Sequence, residues 1–171
     1  MPAYGQACFL PRAVGSLLAS TVSDWELVVV DDGSPDDVAG ALAAFAPDPR
    51  IRLVRHPANR GLGAALNSGL ALARGPLIAY LPCDDLYDPD HLAALLAAVD
   101  GPGRVLVWSG LRHHDGEASL DGPPGDGLQL VQVMHRRTPD RWVERPELES
   151  DDLELLPVSY THLTLPTTER V

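Results

Sequence analysis

Residues 25–37, WELVVVDDGSPDD, combine a strand pattern, a turn and a helix start. The apolar core of this stretch, LVVV, is a β-branched run typical of a strand that is buried on both faces. Two acidic residues, Asp31 and Asp32, follow directly, and Ser34 is typical of the N-cap of a helix that begins at the next residue. A strand, a turn and a helix in this order form the repeating unit of an α/β sheet.

The same alternation continues to about residue 110. Helical spacing is found in FLPRAVGSLLAS, GLGAALNSGLALARG and DPDHLAALLAAVD, and strand patterns are found in RIRLVRH, PLIAYLP and RVLVWSG. This alternation predicts a doubly wound α/β fold, with a mostly parallel sheet and helices on both faces. Because the chain starts directly before the first helix, we expect the first strand to be missing apart from Met1.

The chain divides into three parts by composition. Residues 1–110 carry the α/β pattern, and residues 111–156 open with a Gly/Pro/Asp-rich loop after which the periodicity is weak. Residues 157–171 are rich in Thr and resemble translated sequencing-adapter tails, so we expect them to be non-native and the chain to be a fragment.

Charge and composition exclude several classes of protein. With 24 acidic residues against 13 Lys and Arg, the net charge is −11, which disfavours nucleic acid as a partner. No apolar run reaches the roughly 18 residues of a membrane span. The two cysteines form neither a metal motif nor a disulfide framework, and this predicts a cytoplasmic protein.

Paired acids end two of the predicted strands, in VVVDDGS and YLPCDD. Because the carboxyl ends of parallel strands share one edge of the sheet, four carboxylates are expected in one crevice. Asp31 and Asp32 are also compatible with a simple capped turn. Asp84 and Asp85 are compatible with a helix entry, but Asp88 already fills that role as a cap. The surplus of charge favours a metal or ligand site.

Several linked motifs together resemble one known family. WELVVVDDGSPDD, HPANRGLGAALNSGLALARGPLIAYLPCDD and LYDPDHL are similar, in order and spacing, to the nucleotide-sugar-binding domain of family 2 glycosyltransferases over residues 2 to about 110. The resemblance implies the GT-A fold. It also implies transfer of a sugar from a nucleoside-diphosphate donor to an acceptor in cell-wall or polysaccharide biosynthesis, with metal help and inversion.

The resemblance also implies roles for residues that bind the donor. Pro2, Ala3 and Tyr4 fall where the family places a segment against the nucleobase. Asp32 matches the residue that accepts a hydrogen bond from the base imide. An ionised carboxylate can only accept, so this position suits a base that presents N–H, as uracil does, and a UDP-sugar is favoured.

Asp84 and Asp85 stand where the family has its DxD-type motif. Asp85 matches the direct ligand of Mg²⁺ or Mn²⁺, and Asp84 matches a residue that contacts sugar or ribose; Pro82 replaces the first acid of the full motif. A diphosphate and two carboxylates repel each other, and a hard divalent cation that binds oxygen from both removes the repulsion.

NRGLGAALNSG is the remaining donor-side motif. Asn59 and Arg60 are expected to reach the diphosphate or sugar, and Gly61 and Gly63 to let the backbone approach the ligand closely. The alternative for the two glycines is a helix packed tightly on the sheet.

An inverting transfer also needs a base for the acceptor hydroxyl. WVERPELESDDLELL offers the acidic pattern that the family uses, with Asp151 as the first candidate and Asp152 as the second. The same run is also compatible with a solvated acidic helix face.

Two other functions share some of these sequence features. A phospho-signalling receiver domain also has acids after such a strand, but it needs a lysine, and this chain contains none. A non-catalytic fragment that binds nucleotide without turnover remains open.

Overall fold

The computed structural model describes residues 1–100, 105–110 and 129–144 and the backbone of 153–156. The strands are β1 (Pro2–Ala3), β2 (Leu27–Asp31), β3 (Ile51–Arg55), β4 (Leu77–Ala79), β5 (Leu106–Trp108), β6 (Val133–Arg136), β7 (Arg141–Glu144) and β8 (Leu153–Leu156). The α-helices are α1 (Leu10–Leu18), α2 (Val38–Leu42), α3 (Leu62–Leu72) and α4 (His91–Val99). The predicted tail, residues 157–171, lies outside the described residues.

Two three-stranded sheets organise the described part of the chain. The first has the order β1-β2-β3 and is parallel throughout, as predicted, with Leu27 opposite Ile51 and Asp31 opposite Arg55. The second has the order β4-β6-β5, and β6 runs antiparallel to both of its neighbours. A further antiparallel pair joins β7 and β8.

The first strand is short rather than missing. Pro2 and Ala3 pair in parallel with Val30 and Asp31, which corrects the expectation that only Met1 remains of this strand. The Val30 amide donates to the Met1 carbonyl at 2.9 Å, so the backbone of the first residue also takes part in the sheet.

The start of α2 differs from the prediction. The helix begins at Val38 and its N-cap is Asp37, whose Oδ1 accepts from the Gly40 amide at 2.8 Å. Ser34 is not the cap, because its Oγ accepts from the amides of Gly5 and Asp36 instead. The hydroxyl therefore joins two loops rather than starting a helix.

The core lies between β2 and the helices around it. All five residues of β2 are buried, as the apolar run predicted, and Leu10, Val14 and Leu17 of α1 pack into the same cluster. On the opposite side, Asn67 of α3 exchanges two hydrogen bonds of 2.9 Å with the backbone of Trp142, so α3 is tied to β7.

A buried polar cluster joins β4 to β6 and β7. His135 Nδ1 donates to the Arg136 carbonyl at 2.8 Å, so its Nε2 must accept from the Tyr80 hydroxyl at 2.7 Å when the ring is neutral. The Tyr80 oxygen in turn accepts from Trp142 Nε1 at 3.1 Å. Burial raises the pKa of Tyr80 to about 12, so this hydroxyl keeps its proton.

We expect the protein to lose stability in mild acid because of its buried histidines. Burial lowers the pKa of His135, and also that of His91, below the ordinary value of 6.5. As the pH falls through 6.5, the unfolded chain takes up protons that the folded protein does not, so the free energy of unfolding falls. Urea unfolding at pH 7.5 and 5.5 measures this, and a His135→Gln variant should lose less stability over the interval. An equal loss in both proteins would contradict the assignment.

No helix in the described ranges is long and apolar enough to cross a membrane.

Candidate donor-binding site

The two acids at the end of β2 have different surroundings because successive side chains of a strand point to opposite faces. Asp31 is buried, accepts from the Ser34 amide at 2.7 Å and forms an ion pair with Arg55 at 2.5 Å. The Arg55 guanidinium also donates to the Ser34 carbonyl at 3.0 Å. Asp31 is therefore a structural residue, and the expectation of four carboxylates in one crevice is wrong for this one.

Asp32 holds the loop that leads into α3. Its side chain is only 3% exposed, and its two oxygens accept from the backbone amides of Arg60 at 3.0 Å and Gly61 at 2.8 Å. A third donor is His56, whose Nδ1 lies 2.5 Å from Oδ1. The Arg60 amide is shared between both oxygens, so the three donors make four contacts, two on each oxygen, and occupy the roughly four acceptor positions of the carboxylate.

His56 connects Asp32 to α3 through both of its ring nitrogens. Because an ionised Asp32 only accepts, Nδ1 carries the proton in this pair, and in a neutral ring Nε2 accepts from the Ser68 hydroxyl at 2.8 Å. The tautomer follows from the partners. The chain of hydrogen bonds from buried Asp32 through buried His56 to the partly buried Ser68 fixes the carboxylate in one orientation.

Replacing His56 with alanine should destabilise the protein by about 2–3 kcal/mol, since a buried carboxylate loses a hydrogen-bond donor. His56→Asn keeps an N–H near the position of Nδ1 and should recover part of the loss, whereas Ser68→Ala should cost less than either. Urea unfolding of the three variants measures the order. A His56→Ala protein as stable as the wild type would show that the Asp32–His56 hydrogen bond contributes nothing to stability.

The second acid pair lies in the loop after β4. Asp84 is exposed and Asp85 is partly buried. Burial, and then the neighbouring Asp84, raise the pKa of Asp85 above its ordinary value. Among the described residues neither acid belongs to an ion pair. This pair therefore carries negative charge without a counter-charge from the described part of the chain.

Gln6 ties the loop after β1 to this acid pair. Its Nε2 donates to Asp84 Oδ2 at 3.0 Å, and its Oε1 accepts from the Cys83 thiol at 3.1 Å. Burial and the nearby Asp84 raise the pKa of Cys83 to about 11, so the thiol stays protonated and can donate. The Cys83 thiol therefore helps to hold the Gln6 side chain in place.

The loop after β1 also contacts the loop after β2. The Gly5 amide donates to Ser34 Oγ at 3.0 Å, and the Ala7 amide donates to Asp36 Oδ2 at 3.1 Å. Residues 5–7 therefore connect the turn that follows Asp32 with Asp84. Both acid-bearing loops lie at one edge of the fold, as the strand order predicted.

The other predicted donor-side residues lie along the same edge. Tyr4 leaves β1 with a side chain that is 49% exposed. Asn59 Oδ1 accepts from the Gly61 amide at 2.9 Å, and the Arg60 side chain is exposed. Pro2 and Ala3 form β1, where Ala3 is buried. Gly61 precedes α3 with φ 89°, and Gly63 is buried in the first turn of that helix.

The predicted base candidates, Asp151 and Asp152, lie outside the described residues. Their role stays a prediction.

The described residues do not form a complete metal site by themselves, since no three His, Cys, Asp or Glu side chains there are placed to hold an ion. The Asp84–Asp85 pair nevertheless fits a divalent cation. Oxygen ligands are the ones that Mg²⁺ and Mn²⁺ prefer, and neither carboxylate has an ion-pair partner among the described residues.

Sequence reasoning missed three residues that organise the site. Arg55 ends β3 and His56 follows it directly. Their positions follow from the register, because Asp31 stands opposite Arg55 and the residues that come next after the two strands are Asp32 and His56. The alignment of VVVDD with LVRH would have shown this pairing. Gln6 gave no comparable signal, since its contact with Asp84 spans 78 residues.

Comparison with known proteins identifies the family. The model of "Glycosyl transferase family 2" matches residues 1–152. Succinoglycan biosynthesis protein ExoO of Rhizobium meliloti is 42% identical over 120 residues, which are 70% of this chain and 33% of that protein. Protein ExoW of the same organism is 41% identical over 165 residues, 91% of this chain and 49% of that protein. The chain thus spans a third to a half of these relatives.

Solved structures agree on the fold. The mannosyltransferase PcManGT of Pyrobaculum calidifontis, in complex with GDP-Man and Mn²⁺, is 26% identical with a TM-score of 0.60 over 66% of this chain and 34% of its own. S. aureus TarS 1-349 is 18% identical with a TM-score of 0.68 over 80% and 45%. These likenesses confirm the predicted GT-A type α/β fold, and the family match replaces the receiver-domain alternative. The chain belongs to glycosyl transferase family 2.

Proposed function

We propose that this chain is the donor-binding part of a glycosyltransferase that moves a sugar from a nucleoside-diphosphate donor to an acceptor hydroxyl. The observation that carries the proposal is the uncompensated Asp84–Asp85 pair, which Gln6 joins to the Asp32 loop. A crevice with this charge needs a cation before a diphosphate can enter. Mg²⁺ or Mn²⁺ would fill that role, and the Mn²⁺ named for PcManGT supports it.

In this proposal the nucleobase lies beside Tyr4 and Asp32. The Tyr4 ring is half exposed and can stack on a base. Asp32 can accept from a ring N–H when the Arg60 amide, which is shared between both of its oxygens, keeps only one of them. Uracil and guanine present such an N–H, whereas adenine does not. A UDP-sugar is proposed as the donor because uracil presents such an N–H.

Asp85 would hold the cation, and Asp84 would contact the sugar or ribose. When bound, the cation supplies charge neutralisation for the departing nucleoside diphosphate. The acceptor oxygen forms a bond to the anomeric carbon, the bond from that carbon to the diphosphate oxygen breaks, and the acceptor proton passes to a carboxylate. Asp151, or else Asp152, is proposed as that base, and attack opposite the leaving group inverts the anomeric centre.

The acceptor is proposed to be a growing polysaccharide, since two relatives are named for succinoglycan biosynthesis. We place the protein in the cytoplasm. Both cysteines are free thiols, Cys8 exposed and Cys83 buried, which fits a reducing compartment.

Calorimetry with UDP, GDP and ADP, each with Mn²⁺ and with EDTA, tests the proposal. UDP should bind in Mn²⁺ and lose nearly all affinity in EDTA, and ADP should bind more weakly than UDP. Equal binding of the three nucleotides, or binding that ignores EDTA, would contradict it. If UDP binds but a UDP-sugar panel shows no transfer, the non-catalytic alternative holds for this chain.

A further inference from the structure

The side chain of Gln6 joins two loops of the candidate site that are far apart in sequence. Both of its neighbours are held by the loop after β2, since the Gly5 amide donates to Ser34 Oγ at 3.0 Å and the Ala7 amide donates to Asp36 Oδ2 at 3.1 Å. The backbone on either side of Gln6 is therefore anchored. From this fixed base the side chain reaches the loop after β4.

The chemistry of its two partners sets the orientation of the Gln6 amide. The buried Cys83 thiol donates to Oε1 at 3.1 Å, and Nε2 donates to Asp84 Oδ2 at 3.0 Å. The reverse orientation would place the amide oxygen against a carboxylate that has no proton to donate. The amide therefore presents its N–H to Asp84, and the thiol holds it there.

Asp84 depends on this contact for its own orientation. Among the described residues, Gln6 supplies the one hydrogen bond that the Asp84 carboxylate accepts, and no cation pairs with it. The side chain is exposed, and the adjacent Asp85 carries the same charge. Without Gln6, repulsion between the two carboxylates would turn that of Asp84 toward solvent. Gln6 opposes this rotation by holding Oδ2.

We propose that Gln6 is a positioning residue for the nucleotide sugar, which it affects only through Asp84. The inference rests on the proposed function, in which Asp84 accepts a hydrogen bond from a ribose or sugar hydroxyl. With Oδ2 held by Gln6, the carboxylate is already in place when that hydroxyl arrives, so less side-chain entropy is lost on binding. Cys83 contributes by setting the direction of the Gln6 amide.

A double-mutant cycle tests this inference by calorimetry in Mn²⁺. The ligand is UDP or UDP-GlcNAc, whichever binds the wild type more tightly. Gln6→Met keeps the length of the side chain but removes both hydrogen bonds, and should weaken binding about 5-fold. In the Asp84→Ala background the same change should weaken it less than about 2-fold. The matched control is Cys8→Ser, an exposed position two residues along the chain, which should leave binding unchanged.

The cycle separates a positioning role from a structural one. If Gln6 only anchored the loop after β1, Gln6→Met would weaken binding equally with and without the Asp84 carboxylate, and this result would overturn the inference. Unchanged affinity in Gln6→Met, beside a loss in Asp84→Ala, would also overturn it. Gln6→Ala, which is too short for either contact, should repeat the result whatever the packing of methionine. A wild type that binds neither nucleotide contradicts the proposed function itself, and the inference with it.

Discussion

Gly33→Ala is expected to destabilise the protein by about 2–6 kcal/mol and to lower its melting temperature by roughly 10 °C or more. Gly33 has φ 68°, a region that L side chains rarely adopt. A Cβ added there would stand 2.4 Å from the Ala58 carbonyl carbon and 2.6 Å from the Asn59 nitrogen. Both are backbone atoms, so the segment that supplies the Arg60 and Gly61 amides to Asp32 must move.

Gly5→Ala separates the two causes. Gly5 has a similar φ of 66°, but an added Cβ meets nothing within 4 Å. This variant should show only the backbone strain, about 1–2 kcal/mol. Thermal unfolding followed by circular dichroism compares the two proteins. If Gly33→Ala lowers the stability no more than Gly5→Ala does, the expected clash between the added Cβ and residues 58 and 59 does not occur.

Asp85→Asn is expected to weaken Mn²⁺-dependent UDP binding by roughly 100-fold or more. Replacing even a residue that only hydrogen-bonds to a metal ligand lowers metal affinity about 10–100-fold, and Asp85 is proposed to contact the ion directly. The matched control is Asp88→Asn, which removes an exposed acid of the same loop and should leave binding nearly unchanged. Calorimetry in Mn²⁺ measures both. Equal affinities for the two variants would remove Asp85 from the site.

The same Asp85→Asn protein should be slightly more stable than the wild type at neutral pH. The folded protein raises the pKa of Asp85, so at intermediate pH the folded state binds more protons than the unfolded one, and stability falls as the pH rises through this range. Asparagine carries no charge, so the variant does not lose this stability as the pH rises. A gain of stability with a loss of binding is typical of a residue that is retained for its ligand.

Local patterns predicted the order of strands and helices well. The apolar run of β2, the alternation of β3 and the proline at the start of α1 are all present, because each depends on neighbours in sequence. The helix starts were less accurate. Asp37 and Asp90 are the N-caps where Ser34 and Asp88 were expected, since tertiary contacts use the Ser34 hydroxyl elsewhere.

The candidate site was predicted in outline but not in its internal contacts. Sequence indicated that both acid pairs end strands of one sheet, yet it gave the two members of the first pair no distinct surroundings. The different surroundings of Asp31 and Asp32 follow from strand alternation and from the register with β3, which brings Arg55 to Asp31 and His56 to Asp32. Such contacts depend on the pairing of strands that lie about 25 residues apart and cannot be read from one strand alone.

The most direct test of the donor-binding account is the position of a bound Mn²⁺ ion. Paramagnetic broadening of backbone amide signals should be recorded with Mn²⁺ alone, with UDP alone and with both. With both present, broadening should be strongest at Asp84 and Asp85 and should extend to Gln6, and Asp85→Asn should remove it. Broadening centred on other acidic residues, with the Asp84 and Asp85 signals unchanged, would contradict the account.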